Sequence, residues 1–183
     1  HIFTFCSIFT FVSYIMFIRF NFSLYLFSGI FTLIFLSFIF VSDLKTGIIP
    51  DQFVSALIFI SLFWILTDIS ISGMPPEKWF EYPLMRIAGG VAGGGILLLI
   101  GLIGSKLLKQ EAMGMGDIKL MFAVGLISGY TGVFAVLILS FLISFPFALL
   151  KYLKKLKLPE VLLENKLPFA PFIATSAILY IIF

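Results

Sequence analysis

Long runs of apolar residues, separated by short polar stretches, fill almost the whole chain. Seven hydrophobic segments can be placed, at about residues 2–18, 24–42, 53–71, 84–104, 118–130, 133–150 and 168–183. Most have the roughly 17–25 residues that a membrane-spanning helix needs, and none alternates as the strand of a membrane barrel would. Because each span in lipid must satisfy its own backbone, the pattern predicts an all-α, polytopic bundle of about seven transmembrane helices in one domain, 1–183.

The composition supports a membrane location. Of the 183 residues, 61% are hydrophobic and only 11% are charged, whereas soluble domains carry about 25% charged residues. That excludes a soluble enzyme, a nucleic-acid-binding module and a disordered segment, and it leaves the lipid bilayer as the expected partner. Cys6 is the single cysteine, so an intrachain disulfide and a cysteine-rich zinc site are excluded, and we expect neither a metal nor a cofactor.

Basic residues are distributed unequally between the two sets of loops that seven spans create. One set holds nine: Lys45, Lys106, Lys109, Lys119, Lys151, Lys154, Lys155, Lys157 and Lys166. The other set holds three: Arg19, Lys78 and Arg86. The positive-inside rule places the lysine-rich set in the cytoplasm, which predicts a cytoplasmic N-terminus.

The fourth hydrophobic segment is rich in glycine. Gly89 and Gly93, like Gly90 and Gly94, have the small-xxx-small spacing that lets two helices approach closely. The spacing favours tight helix packing. The alternative is a helix that makes room for a substrate segment or moves.

Two carboxylates lie at positions where they could act as a pair in proton transfer. Asp43 ends the second segment and Asp117 opens the fifth, and because successive spans alternate in direction, both lie at one membrane face. From Asp117 to Tyr130 a helix is about 21 Å long, shorter than the hydrocarbon core of about 30 Å. We therefore expect the stretch 113–116 to dip into the membrane, with Gly114 and Gly116 giving the backbone freedom to turn.

Each acid has a plain structural alternative: Asp117 as a helix N-cap, and Asp43 as an interfacial charge. Because both acids lie at the same depth in the membrane, a functional role for the pair is favoured over these two structural roles. Two carboxylates within hydrogen-bond reach share one proton, since both do not ionise readily. The ionised group can take a proton from water, and the protonated group can donate to a peptide carbonyl.

Three stretches around these acids resemble the type IV prepilin peptidases, which are membrane aspartyl proteases with a Gly-x-Gly-Asp motif. Asp43 is followed by Ile-Pro-Asp at 49–51; Glu-x-Met-Gly-x-Gly-Asp-x-Lys-Leu spans 111–120; and Leu-Pro-Phe-x-Pro-Phe spans 167–172. The resemblance implies that Asp43 and Asp117 are the catalytic pair of an inner-membrane endopeptidase. It also implies prepilin or pseudopilin substrates, cut after a Gly at the cytoplasmic face to remove a short basic leader from an apolar helix.

The same motifs contain residues that could support the site: Gly114, Gly116, Lys119, Glu111, Pro168 and Phe169. Lys119 could tune the pair or bind substrate, or simply anchor the membrane face. Glu111 could pair with a basic leader or be a solvated loop acid. Pro168 and Pro171 predict a non-helical or kinked entry to the last segment, which either lines the site or only joins loop to helix. Asp51, after Pro50, is interpreted as a cap of the third segment, and Gly47 as part of a turn.

Two other classes of function remain open at this point. Buried carboxylates also mark ion- or proton-coupled transporters, although both acids lie at one face and no inverted repeat is visible. A membrane scaffold without activity is the third hypothesis. Full-length bacterial members of the resembling family often carry two Cys-x-x-Cys zinc pairs in a domain linked to N-methylation, and this sequence has neither pair. Two alternatives stay open: a peptidase-only form, or a chain from which an N-terminal region was removed.

Overall fold

The computed structural model describes residues 12–14, 24–71, 79–109, 113–155 and 169–182. Within these ranges the chain is helical and has no strand. Its helices are α1 (Leu24–Thr46), α2 (Asp51–Ile71), α3 (Glu81–Leu108), α4 (Met115–Lys155) and α5 (Ala170–Ile182). The predicted all-α fold is confirmed for the described residues. The segment predicted at 2–18 falls almost wholly outside them.

Three of the described helices contain stretches long and apolar enough to cross a membrane: Tyr25–Thr46, Glu81–Leu107 and Met115–Leu150. Two more helices have shorter apolar stretches, Asp51–Leu66 and Ala170–Ile182. Large apolar side chains such as Phe59, Phe63 and Leu142 are exposed on the bundle surface, as expected of a lipid-facing exterior. The chain is thus a helical membrane protein, while the count of about seven spans and the orientation stay predictions.

Helix α4 contains the fifth and sixth predicted segments, joined at Gly129. This glycine has φ 75° and ψ −179°, a conformation that is essentially restricted to glycine. A β-carbon on Gly93 of α3 would lie 2.6 Å from the Val133 side chain and 3.1 Å from the Met121 carbonyl oxygen, yet a straight helix would separate those two residues by about 18 Å. The chain therefore reverses at Gly129, giving a first limb, 115–128, and a second limb, 130–155.

The glycines of α3 pack directly on the first limb of α4. A β-carbon on Gly89 would lie 2.6 Å from the Gly125 carbonyl oxygen, and one on Gly125 would lie 2.8 Å from the Gly90 Cα. Gly94 rests on Phe122 in the same way. These contacts confirm the tight helix packing that the small-xxx-small spacing predicts.

The buried core lies between α1, α2, both limbs of α4 and α5. Its largest fully buried side chains include Leu36, Leu57, Leu120, Val136 and Ile173. This packing sets the end of α1, the start of α4 and the start of α5 side by side, and we call that region the carboxylate end. The opposite region, around Gly129, Gly89 and the Tyr180 side chain against Gly132, is the turn end.

Candidate active site

Asp43 lies in the last turn of α1, slightly before the helix ends. The amide of Gly47 donates to the Asp43 carbonyl at 2.9 Å, and Gly47 has φ 63°, the left-handed conformation that commonly ends a helix. The turn predicted at Gly47 is confirmed. Asp43 is only 5% exposed, and its Oδ2 has no hydrogen-bond partner among the described residues. A buried carboxylate oxygen without a partner is uncommon in proteins.

Asp117 lies in the first turn of α4 and is half-buried. Its amide donates to the Gly114 carbonyl at 3.2 Å, and its carboxylate accepts a hydrogen bond from the Gly114 amide. A β-carbon on Gly114 would lie 3.4 Å from Asp117 Oδ2. Because the helix already begins at Met115, Asp117 is within the helix and is not its N-cap residue.

The amide of Ala170 brings the two acids into one site. It donates a hydrogen bond to the carboxylate of Asp43 and to that of Asp117. The two carboxylates are also close enough for their charges to interact directly. Ala170 is fully buried and begins α5, so its amide is one of the helix-terminal donors that lack an intrahelical acceptor. The structure thus places together the two acids that the sequence singled out.

The residues around Ala170 fix where that amide points. The carbonyl of Phe169 accepts from the amides of Phe172 at 3.0 Å and Ile173 at 3.2 Å, which closes the first turn of α5. The Phe169 ring packs against Phe141, with centroids 5.3 Å apart. Pro171 sits in this first turn, where the missing N–H is tolerated. Pro168 and Glu111 lie outside the described residues.

The loop after Asp43 is fastened to both helices that carry the acids. Ser42 Oγ donates to the Ile48 carbonyl at 3.1 Å, and the Ile48 amide donates to Thr46 Oγ1 at 3.3 Å. Ile49 then packs against Gly116, where a β-carbon would lie 3.1 Å from the Ile49 side chain. A side chain at position 116 would therefore crowd Ile49, and glycine avoids that contact.

Neither Gly114 nor Gly116 adopts a backbone conformation that is restricted to glycine. The described glycines with positive φ are Gly47 and Gly129. Helix α4 begins at Met115, so ordinary helical geometry already applies at Gly116.

Lys119 and Asp51 form an ion pair next to the site. Lys119 Nζ lies 2.8 Å from Asp51 Oδ1, and the two side chains are 49% and 73% exposed. Asp51 begins α2, where a carboxylate is favoured by the helix dipole. Lys119 follows Asp117 in the first limb of α4, so the pair connects the start of α2 to the helix that carries Asp117.

Arg86 has a structural role that the sequence did not reveal. Its Nη1 donates to the carbonyls of Leu126, at 3.3 Å, and Ile127, and its guanidinium lies 5.6 Å from the centre of the Trp64 ring. The side chain thus satisfies carbonyls that end the first limb of α4. The sequence placed Arg86 among the loop charges; its position inside an apolar segment was the signal to notice.

The described residues contain no group of three or more His, Cys, Asp or Glu side chains that could hold a metal ion. Two neighbouring carboxylates with a common amide donor are suited to proton transfer. In a comparison with known families, residues 30–149 match the type IV leader peptidase family. The matched region includes Asp43, Asp117 and the whole of α3. No curated protein and no solved structure matches the chain significantly.

Proposed function

This chain belongs to the type IV leader peptidase family, and on that premise we propose that it is an aspartic endopeptidase with Asp43 and Asp117 as its acid–base pair. Membership makes it a protease of the prepilin peptidase type. The observation that supports the aspartic mechanism is the Ala170 amide, which donates to both carboxylates. A donor common to two acids keeps their carboxylates close, and two close carboxylates share one proton because both do not ionise readily.

Hydrolysis by this pair consumes one water molecule. The ionised carboxylate takes a proton from water as the water oxygen bonds to the scissile carbonyl carbon, and the protonated carboxyl gives its proton to the carbonyl oxygen. The tetrahedral intermediate then collapses: the C–N bond breaks and a proton passes to the leaving nitrogen. Asp43 Oδ2, which has no partner among the described residues, is the oxygen available to hold the water.

The proposed substrate is a prepilin-like protein with a basic leader and an apolar N-terminal helix. The carboxylate end lies at the ends of apolar helices whose outer faces are lipid-facing, so a substrate helix could stay in the bilayer while its leader reaches the acids. We place the cut after a Gly that ends the leader. The excess of lysine in one set of loops supports a cytoplasmic site in the inner membrane, with about seven spans and the N-terminus inside.

The test is to replace each acid by its amide and measure leader removal. Asp43→Asn and Asp117→Asn should each lower cleavage by about 10²–10⁴-fold, because each removes one proton-transfer group. Mass spectrometry of the product locates the cut. Glu81→Gln is the matched control, since Glu81 is an exposed acid at the start of α3, toward the turn end, and it should cleave like the wild type.

Retained cleavage in either folded Asn variant would overturn the assignment. The same purified protein in liposomes tests the rival class, an ion- or proton-coupled transporter. Ion flux without cleavage of any prepilin would favour that class, whereas cleavage that requires both acids supports the peptidase.

A further inference from the structure

We propose that the Asp51–Lys119 ion pair is a latch that holds the two acid-bearing segments in register, which makes Asp51 and Lys119 positioning residues for the reaction. The inference rests on the proposed function, because it assigns these residues a role in aligning Asp43 with Asp117. The latch joins the first turn of α2 to the first turns of α4, with Lys119 Nζ 2.8 Å from Asp51 Oδ1.

The path of the chain makes this pair the last in a series of attachments. Starting from Asp43, the Gly47 amide closes the end of α1, and Ser42 and Thr46 hold Ile48. Ile49 then contacts Gly116 on the first turn of α4. Asp51 completes the series by pairing with Lys119.

The two attachments to α4 flank Asp117. Ile49 contacts Gly116, which directly precedes Asp117, and Asp51 pairs with Lys119, which lies two residues beyond it. The apolar contact limits how closely the loop approaches α4, whereas the directed ion pair limits how far it slides along the helix. A rigid two-point attachment of this kind fixes the position of Asp117 relative to the segment that begins at Asp43.

Because the ion pair is exposed, its effect on the positions of the two acids can be measured separately from its effect on stability. With side chains 49% and 73% exposed, the ion pair is well solvated, and such pairs contribute little to the stability of the fold. Position is a stricter requirement, because small misplacements of reacting groups reduce rates steeply. Removing the ion pair should therefore lower kcat with little change in the stability of the fold.

Two rival roles for Lys119 make different predictions. If Lys119 acts on the dyad through its charge alone, then Lys119→Gln should shift the pH–rate profile and Asp51→Asn should not reproduce its effect. If Lys119 contacts substrate, then Lys119→Gln should raise KM. A latch predicts equal effects of the two single variants, on kcat, with KM and the pH profile unchanged.

The experiment is a double-mutant cycle with a charge swap, in the full chain, measured with a prepilin substrate. Asp51→Asn and Lys119→Gln should each lower kcat about two- to fivefold, and the double variant should be no slower than either single one. Asp51→Lys combined with Lys119→Asp should restore kcat to within about twofold of the wild type. Lys45→Gln is the control, because Lys45 is an exposed cation in the last turn of α1 and should leave kcat unchanged.

Additive losses in the double variant, failure of the swap to restore kcat, or a change in KM would overturn the latch. The outcome is separable from the test of the dyad itself. If the Asp43→Asn and Asp117→Asn variants are inactive while Asp51→Asn and Lys119→Gln turn over like the wild type, the peptidase assignment stands and the latch is wrong. If the dyad variants keep their activity, the proposed function fails whatever the latch does.

Discussion

The turn end and the carboxylate end of the bundle are held together by different kinds of contact. At the turn end, backbone lies against backbone: a β-carbon on Gly89 would come within 2.6 Å of the Gly125 carbonyl oxygen. At the carboxylate end, separate segments meet through hydrogen bonds and an exposed ion pair. One buried carboxylate oxygen of Asp43 lacks a partner among the described residues.

Because of this difference, one end of the bundle should contribute mainly to stability and the other mainly to activity. Close-packed interiors do not tolerate added atoms, so the turn end should fix the fold. Polar atoms left without partners lower stability but remain available to react, so the carboxylate end should fix the activity. Substitutions at the two ends should then separate unfolding temperature from turnover.

The largest expected effect is loss of cleavage without loss of fold. Asp43→Leu should lower leader cleavage by about 10²–10⁴-fold, since one proton-transfer group is removed. The unfolding temperature, followed through the fluorescence of the buried Trp64, should not fall, because a buried carboxylate oxygen without a described partner is eliminated, while the Ala170 amide keeps Asp117 as an acceptor. A clear fall in unfolding temperature would show that Asp43 supports the fold.

Packing at the turn end should respond in the opposite way. Gly125→Ala should lower stability by about 1–3 kcal/mol, because its β-carbon would lie 2.8 Å from the Gly90 Cα. Gly95→Ala is the matched control on α3, where nothing lies within 4 Å of the added carbon, and helix propensity should leave it equal to the wild type or more stable by about 0.5–1 kcal/mol. Thermal unfolding in detergent measures both, and equal losses would contradict the packing argument.

Backbone conformation gives a third contrast. Gly47→Asn should be tolerated, because φ 63° is the left-handed region that asparagine also adopts. Gly129→Asn should lower stability by about 1–3 kcal/mol, because φ 75° with ψ −179° is essentially restricted to glycine. The measurement is the unfolding temperature of the two variants, and similar values would mean that Gly129 relaxes without strain.

The smallest effect is expected where the two acid-bearing segments touch. Gly116→Ala needs Ile49 to move by a few tenths of an ångström, so kcat should fall a few-fold while unfolding is unchanged. Ile49→Ala should restore turnover in the Gly116→Ala background by making room. If the second substitution lowers kcat further, the contact does not limit the approach of the loop to α4.

The sequence predicted the placement of the two acids because that placement depends on simple features. Apolar segments can be counted, successive spans alternate in direction, and Asp43 and Asp117 each fall at a segment end. The same reasoning predicted glycine packing on α3 from spacing alone. Their catalytic role stays a proposal.

The sequence did not predict contacts that depend on tertiary register. Arg86 was grouped with loop charges, although it caps the first limb of α4 through Leu126 and Ile127. The pairing of Asp51 with Lys119 and the donor role of the Ala170 amide require knowing how α2, α4 and α5 align. A functional backbone N–H donor cannot be identified from a sequence, since every residue except proline carries one.

The position of Ala170 bears on how the protein is made. A ribosome releases Asp43 and Asp117 before it releases Ala170, whose amide donates to both. During synthesis the two acids can therefore be in the membrane before their common donor has arrived. The proposed catalytic site is completed when α5 docks, and on that proposal a nascent chain would not cut neighbouring proteins until its own assembly is finished.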